Sequence, residues 1–168
     1  MIEVKIKDAM LQKAANEGMD EFLNAFVLAI KEAIGGELTA ETMAQLNSDQ
    51  ITLLAWSILH DEVMDGGYVQ LIYNGYGGFI FKNPFAVAVR NWGLQELCRH
   101  IRKIRPLYDK YHDEIEQNYT NEEFMALFER MPEFDRFDDE FVENEELWTD
   151  EIAHFVDNHI ENFVTIES

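Results

Sequence analysis

Apolar positions recur at helical spacing along almost the whole chain. Phe22, Leu23, Phe26, Val27, Ile30 and Ile34 form one stripe between Met19 and Ile34, and Gly35-Gly36 behind it suits a left-handed C-terminal turn. Ile51, Leu54, Ala55, Ile58, Leu59 and Val63 repeat the pattern from Gln50 to Met64, with Ser48 or Asp49 placed to cap the start and Gly66-Gly67 beyond the end. Pro84 suits the first turn of a short helix, where its missing N–H is not needed. A longer stripe follows through Leu94, Leu97, Cys98, Ile101, Arg105, Tyr108, His112 and Ile115, with a kink or break expected at Pro106.

Thr120 and Glu123 have the spacing of a capping box and open a helix through Phe124, Leu127 and Phe128, which Pro132 closes. Phe134, Phe137 and Phe141 suggest a further short helix, and Leu147, Trp148, Ile152, Phe155, Val156, His159 and Phe163 a last one. Only IEVKI near the N-terminus alternates like a strand, too briefly to define a sheet. The expectation is an all-α fold: a single compact multi-helix domain over residues 1–168 with a short N-terminal extended segment.

Composition supports independent folding, since 168 residues with 47% apolar content can bury a core without a disulfide or structural metal. One cysteine, Cys98, cannot form an intrachain bridge and reads as a buried helix-face residue. The N-terminal MIEVKIKDAM lacks a signal-peptide core, and no apolar run is long enough to span a membrane, so a reducing cytoplasm is the expected location.

Charge changes the picture more. The formal net charge is −20, distributed as −8 over residues 1–81, +5 over 82–110 and −17 over 111–168. A field of this sign disfavours direct nucleic-acid or membrane binding and attracts basic partners. The same acidity can also serve solubility alone.

The stretch DEVMDGGYVQLIYNGYGGF, Asp61 to Phe79, concentrates five glycines in a helix-rich chain. It has neither the spacing of a P-loop nor that of a dinucleotide fingerprint. Glycine serves where a chain reverses with positive φ or where backbones approach closely, and Gln70 and Asn74, four apart, can bond open carbonyls and amides of adjacent turns. The expected role is a tight helix-turn-helix corner.

Glu62 to Gly75 resembles the E-V-x-N-G-G-F-x-Q-F-F-x-N-x-x-G signature of a bacterial family long classed as a domain of unknown function, whose best-understood member is a small acidic DNA mimic. Glu62, Gly66, Gly67, Tyr68, Gln70 and Asn74 are the positions that carry it, and similarity extends over roughly residues 45–165. Asp65 stands for the usual asparagine, Tyr68 for phenylalanine, and Leu71-Ile72 for paired phenylalanines. The resemblance implies an all-helical, homodimeric protein that uses surface carboxylates in place of DNA phosphates to occupy a transcription factor. The signature itself is structural, so it marks the fold and leaves the activity to the surface charge.

In this sequence Asp135, Asp139, Glu143, Glu146 and Asp150 recur at steps of four, four, three and four, and project as one stripe if the segment is helical. Asp138, Glu140, Glu145 and Glu151 thicken it. The acidic stripe is the expected binding surface for a basic or DNA-binding protein. Two other readings stay open: an interaction or immunity-type protein that binds a basic partner without DNA-like geometry, and an inert solvated face.

Catalysis offers one further pattern. Asp109 with His112 and Glu151 with His154 have the i,i+3 spacing by which helical bundles hold two metals, and Glu62 is a candidate third carboxylate. A complete ligand set is not visible, so no catalytic residue, metal or cofactor is expected.

Overall fold

Asn47 opens the fourth helix of the chain by capping it: its side-chain oxygen accepts the Gln50 N–H at 2.8 Å, and the Gln50 side chain accepts the Asn47 N–H at 3.0 Å. This reciprocal pair lies one residue before the caps expected at Ser48 or Asp49. Because the amide oxygens of Asn and Gln perform the same exchange as Ser/Thr with Glu, the segment N-x-x-Q is itself a capping box. A computed structural model describes all 168 residues, and the chain is all-α apart from one two-stranded parallel sheet.

The elements in order are β1 (Lys5–Lys7), α1 (Asp8–Glu17), α2 (Met19–Ala33), α3 (Ala40–Met43), α4 (Ser48–Tyr73), α5 (Gly77–Phe81), α6 (Phe85–Asn91), α7 (Gln95–Ile115), α8 (Asn121–Arg130), α9 (Asp135–Asn158) and β2 (Thr165–Glu167). No helix is long and apolar enough to cross a membrane. The chain divides into two compact units, residues 1–57 with 147–168, and residues 58–146.

The first unit buries the α2 stripe Phe22, Leu23, Phe26, Val27 and Ile30. Phe26 meets Phe163 edge-on at 6.1 Å, and Trp148, Ile152 and Val156 are buried in the same unit. Strand β1 pairs in parallel with β2, Lys5 opposite Thr165 and Lys7 opposite Glu167, which ties the two chain ends together. Gln50 reinforces that closure from its buried position by donating to the Phe163 carbonyl at 2.9 Å. The N-terminal segment thus becomes a strand only by pairing with residues about 160 positions away.

In the second unit α7 buries Leu97, Cys98, Ile101, Ile104, Tyr108 and Ile115. Of the kink or break expected at Pro106, the break is absent, since one helix runs from Gln95 to Ile115. Pro106 is exposed while Ile104 and Tyr108 are buried, so the ring and the missing hydrogen bond fall on the solvent side. The Thr120–Glu123 capping box forms as expected. The two helices expected over 134–163 are one: α9 is continuous from Asp135 to Asn158.

Candidate functional site

Helix α4 breaks at a single residue. Gly67 has φ 78° and ψ −174°, a conformation open almost only to glycine, and the chain resumes a helix at Tyr68. A helix that restarts needs acceptors for its first N–H groups. The Tyr68 N–H finds one in Asp138 Oδ1 at 2.8 Å, so a carboxylate from α9 caps the second segment of α4. Gly67 also makes room for that cap, because a Cβ there would lie 2.6 Å from Asp138 Oδ2.

The neighbouring signature residues brace the break. Gln70 Nε2 donates to Glu62 at 2.9 Å and to Asp65 at 2.9 Å, and Asn74 Nδ2 donates to Glu62 at 3.0 Å. One carboxylate before the break therefore holds two amides after it, whereas the sequence suggested backbone partners for both amides. Gly66 is small for the same purpose: a Cβ would meet Gln70 Oε1 at 1.9 Å. The expected corner is present, and its polar residues bond side chain to side chain.

Tyr68 reaches from the break into the core. Its hydroxyl lies 2.7 Å from His100 Nε2, and His100 Nδ1 lies 2.9 Å from Glu140. Burial, the larger influence, pushes His100 below the ordinary histidine value against the pull of Glu140, and burial also raises Tyr68 well above the ordinary phenol value. A neutral imidazole facing a carboxylate carries its proton on Nδ1, which leaves Nε2 to accept from the Tyr68 hydroxyl. The row satisfies every polar atom it buries, and α9 is thereby held at Asp138 and at Glu140.

These supports sort the acids of α9 into two sets. Phe134, Phe137 and Phe141 are buried, and Asp135, Asp139, Glu143 and Glu146 are exposed. At 3.6 residues per turn the four exposed acids fall within an arc of about 80° and extend along about 16 Å of axis. Asp138 and Glu140 lie about 60° off that arc on opposite sides, and Glu145 lies about 80° off it on the side of Asp138. Glu145, half-buried, accepts from His60 Nε2 at 2.6 Å. Asp138, Glu140 and Glu145, all expected in the surface stripe, are instead turned toward a backbone amide and two imidazoles.

Asp150, the fifth member of the stripe, follows Glu146 on the same helix and belongs to the first unit. It is half-buried, with its carboxylate 3.6 Å and its carbonyl 2.7 Å from His154 Nδ1. The pairs suggested for metals are likewise engaged elsewhere. Asp109 accepts from Arg105 Nε at 3.1 Å, His112 stacks on Tyr108 with ring centres 5.0 Å apart, and Glu62 holds the two amides of the corner.

Asp138 pays for its position in protonation. Burial pushes its pKa up to about 6, the Tyr68 N–H pulls it down, and Asp135 and Asp139 raise it further. A carboxyl whose folded pKa exceeds its unfolded value binds more protons when folded, so its stabilising contribution is complete below about pH 4 and is lost as pH rises through about 6. Asp138→Asn keeps an oxygen for the Tyr68 N–H and removes the ionisation. Its melting temperature is expected to match the parent near pH 4 and to gain on the parent as pH rises to 7.5, by an amount on the order of 1 kcal/mol in stability. Parallel melting curves for the two proteins across that range would show that Asp138 does not ionise in a desolvated position.

Comparison with known proteins joins this geometry to a family. A family model described as DMP19-like protein matches residues 44–159, which includes the whole corner and α9. A relative from Neisseria meningitidis serogroup B, named DNA mimic protein DMP19, is 32% identical over 127 residues, spanning 75% of this chain and 77% of that protein.

Proposed function

The chain belongs to the DMP19-like protein family, and from that premise we propose that it is an acidic binding module that imitates DNA and occupies the nucleic-acid-binding surface of a transcription factor or a similar protein. The observation that supports this reading best is the outward row Asp135, Asp139, Glu143 and Glu146 on α9. Successive members rise about 4.5–6 Å along the axis, a pitch on the scale of the phosphates that a basic groove is built to meet. The module works by binding, without catalysis and without a cofactor.

Repulsion along this row favours function over solvation as its reason. Like charges four apart on a helix each cost a few tenths of a kcal/mol, a penalty that stability alone gives no reason to repeat. Meanwhile three other acids of α9 are drawn inward, so the exposed row is what remains when the helix is locked in rotation by Asp138 and Glu140. Signature and stripe are linked in this way. The corner fixes which face of α9 looks outward, and the sequence of α9 decides what that face carries.

Capture from extracts of the source cell tests the reading. Immobilised protein is expected to retain DNA-binding proteins at low salt and to release them at high salt, as contacts between exposed charges are screened. Recovery only of basic proteins with no nucleic-acid-binding surface would replace mimicry with a simpler charge-neutralising role.

A further inference from the structure

Outside the matched residues, helices α1 and α2 form a hairpin that turns at Gly18 and leaves an open groove of about 480 Å³ along its outer side. The floor is apolar and low: Ala14, Ala25 and Ala29 are half-buried in it. Met10 and Leu28 also line it and are 61% and 57% exposed, unusually open for large apolar side chains that share one concavity. Small residues flanked by larger ones are what a helix needs to lie close against two others.

The two sides of the rim differ in charge, although Glu17 stands with the lysines on the α1 side. Lys7 and Lys13, on the α1 side, are exposed and make no ion pair, while Lys5 is held by Glu3 and Glu167. Glu21 and Glu32 stand at the two ends of the α2 side, eleven residues or about 16 Å apart, roughly three helical turns.

We propose that this groove is a second docking surface, for an amphipathic helix of a partner protein that carries apolar residues at i, i+3/i+4 and i+7, carboxylates on the edge facing Lys7 and Lys13, and cations on the edge facing Glu21 and Glu32. Apolar contact with Met10 and Leu28 supplies affinity, and the split rim sets orientation, because an opposed polarity places like charges together. The surface is independent of the acidic row on α9 and does not rest on the mimic reading. It would let the protein hold one partner while the acidic row engages another.

The test uses the full chain and a fluorescent synthetic peptide of about four helical turns, with a leucine/alanine stripe, glutamates on one flank and lysines on the other, followed by anisotropy. Saturable binding is expected, weakened about ten-fold or more by Leu28→Lys and by Lys7→Glu with Lys13→Glu. A second peptide with lysines on both flanks should bind that double charge-reversal variant better than it binds the parent. Asp139→Asn, Glu143→Gln, Glu146→Gln combined should leave peptide binding unchanged, which separates this surface from the acidic row. The proposal is overturned by absence of saturable binding, by binding that ignores the groove substitutions, by loss of binding in the α9 variant, or by a concentration-dependent self-association that Leu28→Lys abolishes, which would make the occupant a second copy of the chain.

Discussion

Gly67→Val is expected to lower stability by about 3–5 kcal/mol, from two separate losses at one position. The φ 78°, ψ −174° backbone is closed to a β-branched residue at a cost of about 1–3 kcal/mol. The added Cβ would also fall within 2.6–2.9 Å of the Asp138 carboxylate and drive it from the Tyr68 N–H, leaving a buried donor unmet at about 1–3 kcal/mol more. Against a total stability of about 5–15 kcal/mol this is severe, and for a chain of this size it corresponds to a fall of about 10 °C or more in melting temperature. Thermal unfolding by circular dichroism measures it; an unchanged midpoint would mean that the break in α4 does not depend on glycine.

The second large effect is on binding. Replacing Asp139, Glu143 and Glu146 together by their amides preserves shape and helix while removing three exposed charges. If each meets a basic group of the partner in a solvent-exposed pair worth up to about 1 kcal/mol, affinity at low salt should fall on the order of ten-fold or more. The fold should be unaffected or slightly more stable, since repulsion along α9 is relieved. Titration of parent and variant with a captured partner, with melting curves as control, reads both quantities. Equal affinities would place the partner surface elsewhere on the chain.

The contrast between these two substitutions follows from where each residue acts. Gly67 belongs to the frame that orients α9, and its loss is felt as stability. The exposed acids contribute nothing to that frame. A family can therefore keep the corner and vary the surface, which is why the signature at Glu62 to Asn74 identifies the fold more firmly than it identifies a partner.

Much of the frame was legible in the sequence. The α2 stripe, the glycine pair after it, the Thr120–Glu123 box and the corner at Gly66-Gly67 are all local, set by spacing within one or two turns. What escaped was non-local or masked. The parallel pairing of β1 with β2 joins the chain ends, and no local pattern encodes it. Helix α1 was missed because only Leu11 of its ten residues is buried, leaving hardly any apolar stripe. The unity of α9 was obscured between Phe141 and Trp148, where Val142 and Leu147 are exposed and three acids with Asn144 fill the intervening positions, so the apolar period lapses while the helix continues.

The acidic row was readable in part for a related reason. Spacing alone gave Asp135, Asp139, Glu143 and Glu146, because steps of three and four keep one face. It could not show that Asp138 caps another helix or that Glu140 and Glu145 face His100 and His60, since those partners lie 40 to 85 residues away. A helical wheel carries a warning all the same, for these three acids lie off the arc of the others.

Competition with duplex DNA examines the mimic reading most directly. A captured DNA-binding partner is loaded with a labelled duplex that it binds, and this protein is added in increasing amounts at low salt. The duplex should be released in proportion to the protein added, because both ligands use the same basic groups, and the amide variant of Asp139, Glu143 and Glu146 should require about ten-fold more to release it. A ternary complex, with the partner holding duplex and acidic protein at once, would show that the carboxylates of α9 do not stand in for phosphates.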